Sequence, residues 1–256
     1  MRIDTGVAGD GSPSPSPGAD SPYWDFYERV AAAQVAEWLP PQPARVLDLS
    51  GGHSFADQLV ALGHAVLYVG TEPPAGGLTT VTADPRSLSW VQDASVDAVL
   101  AESRMLSLCL AAEVTAEQLL RVLRPGGRLL IVVESLLLGL ARLADQGRWA
   151  ELADVPAADV VLVPAEDGTI TRCFWPEELR ALLTDAGFEV DWLRTRSVLA
   201  PAAVERALTS GGEAALQALV QTELSLAQER EGESTGIHLV ASCRRPLQHP
   251  ATNRAR

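Results

Sequence analysis

The chain has 256 residues, 47% hydrophobic and 21% charged, enough for one sizeable core in a single α/β domain and too little for two full domains. A formal charge of −13 without any basic run argues against a phosphate-tracking surface, because nonspecific nucleic-acid affinity needs clustered cations that release counterions. The three cysteines, Cys109, Cys173 and Cys243, lie far apart and form neither a Cys-x-x-Cys pair nor a His-linked metal pattern, so no metal is expected and a reduced cytoplasm fits.

No charged segment followed by an apolar stretch opens the chain, and the most apolar run, Leu129 to Ala141, is broken by Glu134 and too short for a bilayer. A soluble, cytoplasmic protein with no membrane partner is therefore expected. Residues 1–21, with "GDGSPSPSPGADSP", offer little to bury and read as a flexible tail. From Tyr23, "YWDFYERVAAAQVAEWL" places Phe26, Val30, Ala33 and Trp38 at roughly helical spacing, and Pro40-Pro41 ends the helix.

The period then changes. "RVLDLS" is a short apolar strand running into glycines, "FADQLVALG" a helix closed by Gly63, and "AVLYVG" a strand. "LTTVTAD" is a weaker strand, "VDAVLAE" a clearer one, and "AEQLLRVLRPGG" a helix stopped by Pro125-Gly126-Gly127 before the strand "RLLIVVES". Strands alternating with helices call for right-handed βαβ crossovers and a doubly wound α/β domain with two helical layers. Beyond Ser135, "LLLGLARLADQGRW" reads as a helix, and "DVVLVPAEDGTITRCF" as two strands turning at Asp167-Gly168. "PEELRALLTDAGF" is a helix with Pro176 in its first turn and Gly187 at its end, and "EVDWLRT" is a strand. Helices about 201–209 and 213–230 precede a last strand, "GIHLVASCRR", and residues 247–256 read as a loose tail.

The stretch "VLDLSGGHSFADQL" admits two readings. As Gly52-His53-Ser54-Phe55-Ala56 it has the look of a hydrolase's nucleophile turn, but that turn needs an oxyanion donor from an earlier strand, and only a tail, one helix and one strand precede Ser54. The distant base such a site needs would be His238, which lies inside a strand, where a satisfied structural histidine is expected. A dinucleotide loop fails too, because the third glycine of Gly-x-Gly-x-x-Gly counted from Ser50 falls on Phe55.

In order and spacing these segments resemble the class I S-adenosylmethionine-dependent methyltransferase family over roughly residues 23–246. The matching pieces are "RVLDLSGG", "TADPRSL", "SVDAVLAES", "LLRVLRPGGRLLIV" and "WPEELRALLTDAGFEV". The resemblance implies a mostly parallel seven-stranded sheet with a helix and hairpin cover. S-adenosylmethionine would lie across the carboxyl ends of the strands at the switch point. It further implies donor contacts from Asp48, Ser50, Gly51, Gly52, Glu72, Asp84 and Pro85. Asp48 would hold loop amides or approach the donor's ammonium, and Asp84 would meet the adenine amino group. Two departures stand out. Ser50 and Ser54 occupy places where the family usually has glycine, and a Cβ resists positive φ. The acid that grips the ribose is expected near Gly70, whereas the acid available is Glu72.

Acceptors should lie over the ends of the fourth and fifth strands, beside Glu102, Ser103 and Arg104 or Glu134 and Ser135. Glu102 is the first candidate to orient or deprotonate an acceptor, followed by Glu134 and by His53 in the loop. Tyr23, Trp24 and Tyr27 are placed to close over the cofactor. Residues 136–175 and 200–230 form the expected substrate cover, whose Leu, Val, Trp149 and Trp175 content suits a partly apolar small metabolite or peptide. The alternative to an active methyltransferase is a binding partner or regulatory subunit with a weakened donor site, or a protein that uses the cofactor without methyl transfer.

Overall fold

The computed structural model describes residues 21–50, 55–70, 78–165 and 167–247. The Ser-Pro-rich segment, the last nine residues and the candidates Gly51, Gly52, His53, Ser54 and Glu72 lie outside the described residues.

Helix α1 (Tyr23–Trp38) buries Tyr23, Phe26, Val30, Val35 and Trp38 along one side and stops at Leu39, ahead of two prolines that cannot continue it. Strand β1 (Arg45–Asp48), helix α2 (Ala56–Ala61), β2 (Ala65–Val69), β3 (Thr79–Val81) and β4 (Val96–Ala101) follow. Helix α3 runs Ala112–Val122, one turn earlier than its apolar pattern indicates. Pro125-Gly126-Gly127 does not merely end it: these residues open the long strand β5 (Leu123–Glu134), with the Gly126 N–H bonded to the Arg245 carbonyl at 2.8 Å.

The remaining elements are α4 (Leu136–Asp145), α5 (Trp149–Asp154), a 3-10 turn, the hairpin β6 (Val161–Pro164) and β7 (Ile170–Cys173), α6 (Pro176–Asp185), β8 (Glu189–Arg196), α7 (Pro201–Glu229) and β9 (His238–Arg244). The two helices expected over 201–230 are joined across a kink at Gly212, whose φ of 53° is open to glycine. The expected hairpin forms a sheet of its own, apart from the main one.

The main sheet has seven strands in the order β3-β2-β1-β4-β5-β9-β8. Strands β1 to β5 pair in parallel, and β9 runs antiparallel to both β5 and β8. Between β1 and β4 the direction of chain progression reverses, which splays the connections apart and leaves a crevice at the strands' carboxyl ends. Period-two alternation fills both faces. Val46, Ala98, Leu100, Leu130, Val132 and Val240 pack under α1 and α2, while Leu47, Val99, Leu129, Ile131, Val133 and Ala241 face α3 and α6. Among the described residues no helix is long and apolar enough to cross a membrane.

The cysteines report on this packing. Cys173 and Cys243 are buried, and burial pushes both thiols up, Cys173 to about 12, whereas Cys109 is partly exposed. Because the thiolate is the reactive form, a thiol-specific dye should label one equivalent, at Cys109, in the native protein and three after unfolding in denaturant.

Candidate active site

The carboxyl end of β1 carries Asp48, fully buried, whose Oδ1 accepts the Ser50 backbone N–H at 2.9 Å and the Ser50 hydroxyl. The loop's first turn is thereby tied to the strand that launches it, and Ser50 keeps a negative φ. A serine here is thus unstrained, and its hydroxyl is folded back onto the carboxylate.

At the end of β2 the position nearest the expected ribose acid is Gly70, and Glu72 lies outside the described residues. A Cβ added at Gly70 would stand 2.5 Å from the phenolic oxygen of Tyr68, so no side chain fits at position 70 while Tyr68 holds its place. Tyr68 and Gly70 share a strand face, and the ring lies along it over the strand end.

After β3, Asp84 accepts the Arg86 backbone N–H and Nε at 2.9 Å on Oδ1 and Nη2 at 2.8 Å on Oδ2. The Arg86 hydrogen bonds hold the carboxyl below the usual aspartate range. Beside it lies a cavity of about 500 Å³ lined by Ala83, Asp84, Pro85, Arg86, Ser103 and Met105. The Ser103 hydroxyl oxygen is buried there without a hydrogen-bond partner among the described residues.

A second, smaller cleft of about 80 Å³ lies between α1 and the ends of β4 and β9, lined by Trp24, Tyr27, Glu28, Ala31, Phe55, Glu102, Arg104 and His238. Of the three aromatic residues expected over the cofactor, Trp24 and Tyr27 line this cleft. Tyr23 does not: it is fully buried in the α1–α7 packing with its hydroxyl on Ser197.

The two acids named as acceptor-side candidates are both committed to arginines. Both Glu102 oxygens accept from Arg196 of β8, at 2.7 and 2.9 Å, and the side chains are 4% and 1% exposed. Burial works against the Arg196 charge, but the Glu102 carboxylate and Tyr27 outweigh it, so the guanidinium stays protonated. Glu134, 4% exposed, is held by Arg104 at 2.8 Å and by Arg142. Ser135 is a structural cap, accepting from the Leu138 N–H and donating to the Gly236 carbonyl. A carboxylate bound in this way by a guanidinium is a poor general base.

His238 departs from the expectation of a satisfied strand histidine. It begins β9, its Nδ1 lies 3.1 Å from the Tyr27 hydroxyl, and its buried Nε2 has no partner among the described residues. Burial first, then Arg104, Arg196 and Arg142, push its pKa well below the ordinary value, so the ring is neutral. In the sequence the one hint is a histidine entering an apolar strand, two residues after Gly236. The segments 136–175 and 200–230 supply none of the described residues lining either hollow; α7 instead braces α1 from behind.

A parallel sheet reversing direction beside β1, with one antiparallel strand inserted next to the far edge, decides the architecture. The fold is that of the class I S-adenosylmethionine-dependent methyltransferases. Neither a protein-family model nor a curated protein matches the sequence. Solved structures with this fold do match. The chain is similar to a 1,6-didemethyltoxoflavin N1-methyltransferase of Burkholderia thailandensis, crystallised with 1,6-didemethyltoxoflavin and S-adenosylhomocysteine, at 18% identity and TM-score 0.53 over 89% of this chain and 80% of that one. It is similar to a putative S-adenosylmethionine-dependent methyltransferase of Listeria monocytogenes at 12% identity and TM-score 0.57, covering 86% and 99%. It also matches the [4+2]-cyclase SpnF at 18% identity and TM-score 0.50, covering 86% and 82%. A methyltransferase fold therefore does not by itself fix the reaction.

Proposed function

We propose that the protein binds S-adenosylmethionine over the carboxyl ends of β1 to β4 and methylates a small organic acceptor seated under α1. The observation that carries this reading is the pairing of two hollows at the switch point. One is roomy, with an acid at Asp84 and an orphaned Ser103 hydroxyl; the other is narrow, aromatic and charged. When bound, the donor supplies an electrophilic methyl carbon on a sulfonium centre. Asp48 fixes the start of the loop after β1. Asp84, Pro85 and the Ser103 hydroxyl line the space for a flat, polar group such as a purine, with the remaining acceptor capacity of Asp84 open to an amino group. Trp24 and Phe55 exclude water from the narrow hollow and align what enters it, and alignment can supply much of the acceleration of a displacement at carbon.

A second reading, a methyltransferase-like binding partner with a weakened donor site, rests on the Tyr68–Gly70 arrangement, which leaves no room for a carboxylate at position 70. Calorimetry separates the two. Micromolar binding of S-adenosylmethionine and S-adenosylhomocysteine supports the first, and no binding at millimolar ligand rejects it. Asp84→Asn should weaken S-adenosylhomocysteine about tenfold, one hydrogen bond to a charged group. It should cost less than about 1 kcal/mol of stability, because the Asp84–Arg86 pair is half exposed and screened. The sign of the pH dependence follows from the depressed pKa: the pair's small stabilisation is present above the unfolded aspartate value and lost as pH falls through the lowered folded value. Urea melts at neutral and acid pH should therefore converge for wild type and variant only at low pH.

A further inference from the structure

Each buried carboxylate beside the narrow cleft is met by guanidinium groups, Glu102 by Arg196 and Glu134 by both Arg104 and Arg142, while the third acid, Glu28 on the cleft lining, is exposed. Arg104 is 41% exposed and is held at a φ of 56°, a backbone state that a non-glycine residue seldom adopts, in the turn that brings its side chain to the cleft.

The proton arrangement can be followed through the same network. Tyr27 is held neutral, burial having raised its pKa, and its oxygen already accepts from Arg196 Nη1 at 3.2 Å. Its own O–H then needs an acceptor, and the neutral His238 supplies one at Nδ1, 3.1 Å away. The imidazole proton is thereby assigned to Nε2, the buried nitrogen that lacks a partner. The cleft lining thus carries an N–H donor without a partner, on His238, and a guanidinium, Arg104, that gives Nη1 to Glu134. Glu28 also lines the cleft, and because it is exposed, solvent screens its carboxylate.

We propose that this cleft is an oxyanion subsite, in which His238 Nε2–H and Arg104 bind a carboxylate-type anionic oxygen of the acceptor, carried on an apolar body that packs against Trp24 and Phe55. Its 80 Å³ matches two or three waters, or one carboxylate with its adjoining carbon, so the rest of the acceptor projects outward. Such a group needs no general base, which agrees with Glu102 and Glu134 both being engaged by arginines. The identity of the anion as the acceptor's rests on the methyl-transfer reading; the donor's own carboxylate shares the chemistry.

The probe is sodium benzoate, with benzamide as its neutral counterpart, titrated into the full-length protein by calorimetry with and without saturating S-adenosylhomocysteine. Benzoate should bind and benzamide should bind at least tenfold more weakly. Arg104→Gln, at a part-exposed side chain, should weaken benzoate at least tenfold and leave S-adenosylhomocysteine affinity unchanged. In protein labelled with 15N-histidine, the His238 signals, assigned by loss in His238→Gln, should show the Nε2–H tautomer, no titration between pH 5 and 8, and a shift of Nε2 with benzoate but not benzamide. An Nδ1–H tautomer, equal binding of the two probes, or full benzoate affinity in Arg104→Gln overturns the subsite. Displacement of benzoate by S-adenosylhomocysteine gives the anion to the donor and overturns its assignment to the acceptor. Benzoate binding by these criteria in a protein that fails to bind S-adenosylhomocysteine keeps the oxyanion site while rejecting methyl transfer.

Discussion

Arg196→Met is expected to lower the unfolding free energy by about 3–5 kcal/mol, the cost of breaking a buried ion pair from one side. Arg196 and Glu102 are almost wholly enclosed, and the guanidinium also donates to Gln34 at 2.7 Å and lies over the Tyr27 ring at 5.1 Å. Removing it leaves the Glu102 carboxylate buried without its counter-charge and strips the Tyr27 oxygen of a donor. Urea unfolding should show a lower midpoint with an unchanged slope, because the surface exposed on unfolding hardly changes. The double variant Arg196→Met/Glu102→Gln removes both charges, and it should recover at least half of the loss. A single variant costing less than 1 kcal/mol, or no recovery in the double, would show that the pair is not the pin that joins β4 to β8 beneath α1.

That pair also marks the boundary of what the sequence makes legible. The sheet is readable because its signals are local: apolar runs of period two in "RVLDLS" and "RLLIVVES", glycine and proline punctuation, and helical spacing in "YWDFYERV". The site is less so, because its decisive contacts join residues far apart in the chain. Glu102 as a free acid is a fair inference from its place after β4, but its partner arrives 94 positions later, on a strand whose register is set only when β9 inserts between β5 and β8. A signal was present in "WLRTRS", where Arg194 and Arg196 stand at alternate positions of one strand. A strand bound for the interior seldom carries a guanidinium unless a carboxylate waits for it. His238 illustrates the converse. Its place in an apolar strand was visible, but the unpartnered Nε2 depends on Tyr27 reaching across from α1. The Gly70 gap likewise has its reason two residues earlier, in the ring of Tyr68, a relation that becomes a clash only when the strand is extended.

The largest expected effect on ligand affinity belongs to Asp48→Ala. Asp48 is fully buried at the last position of β1, pairing with Tyr68 on one side and Leu100 on the other, so its carboxylate is fixed by the sheet rather than by the loop it serves. From there it holds both the amide and the hydroxyl of Ser50, which sets the direction in which the chain leaves the strand. Alanine would orphan both donors, each bond being of the charge-assisted kind that contributes about 1.5–3 kcal/mol. If about half of that falls on the loop's bound geometry, S-adenosylhomocysteine should weaken about ten- to a hundredfold by calorimetry, since each 1.4 kcal/mol is about a factor of ten. Asp48→Asn retains an acceptor and should fall in between. Ser50→Ala leaves the amide bond intact and should cost less than tenfold. A folded Asp48→Ala protein that binds S-adenosylhomocysteine as tightly as the wild type would remove the carboxylate from the donor site and, with it, the reason for placing the methyl donor over β1.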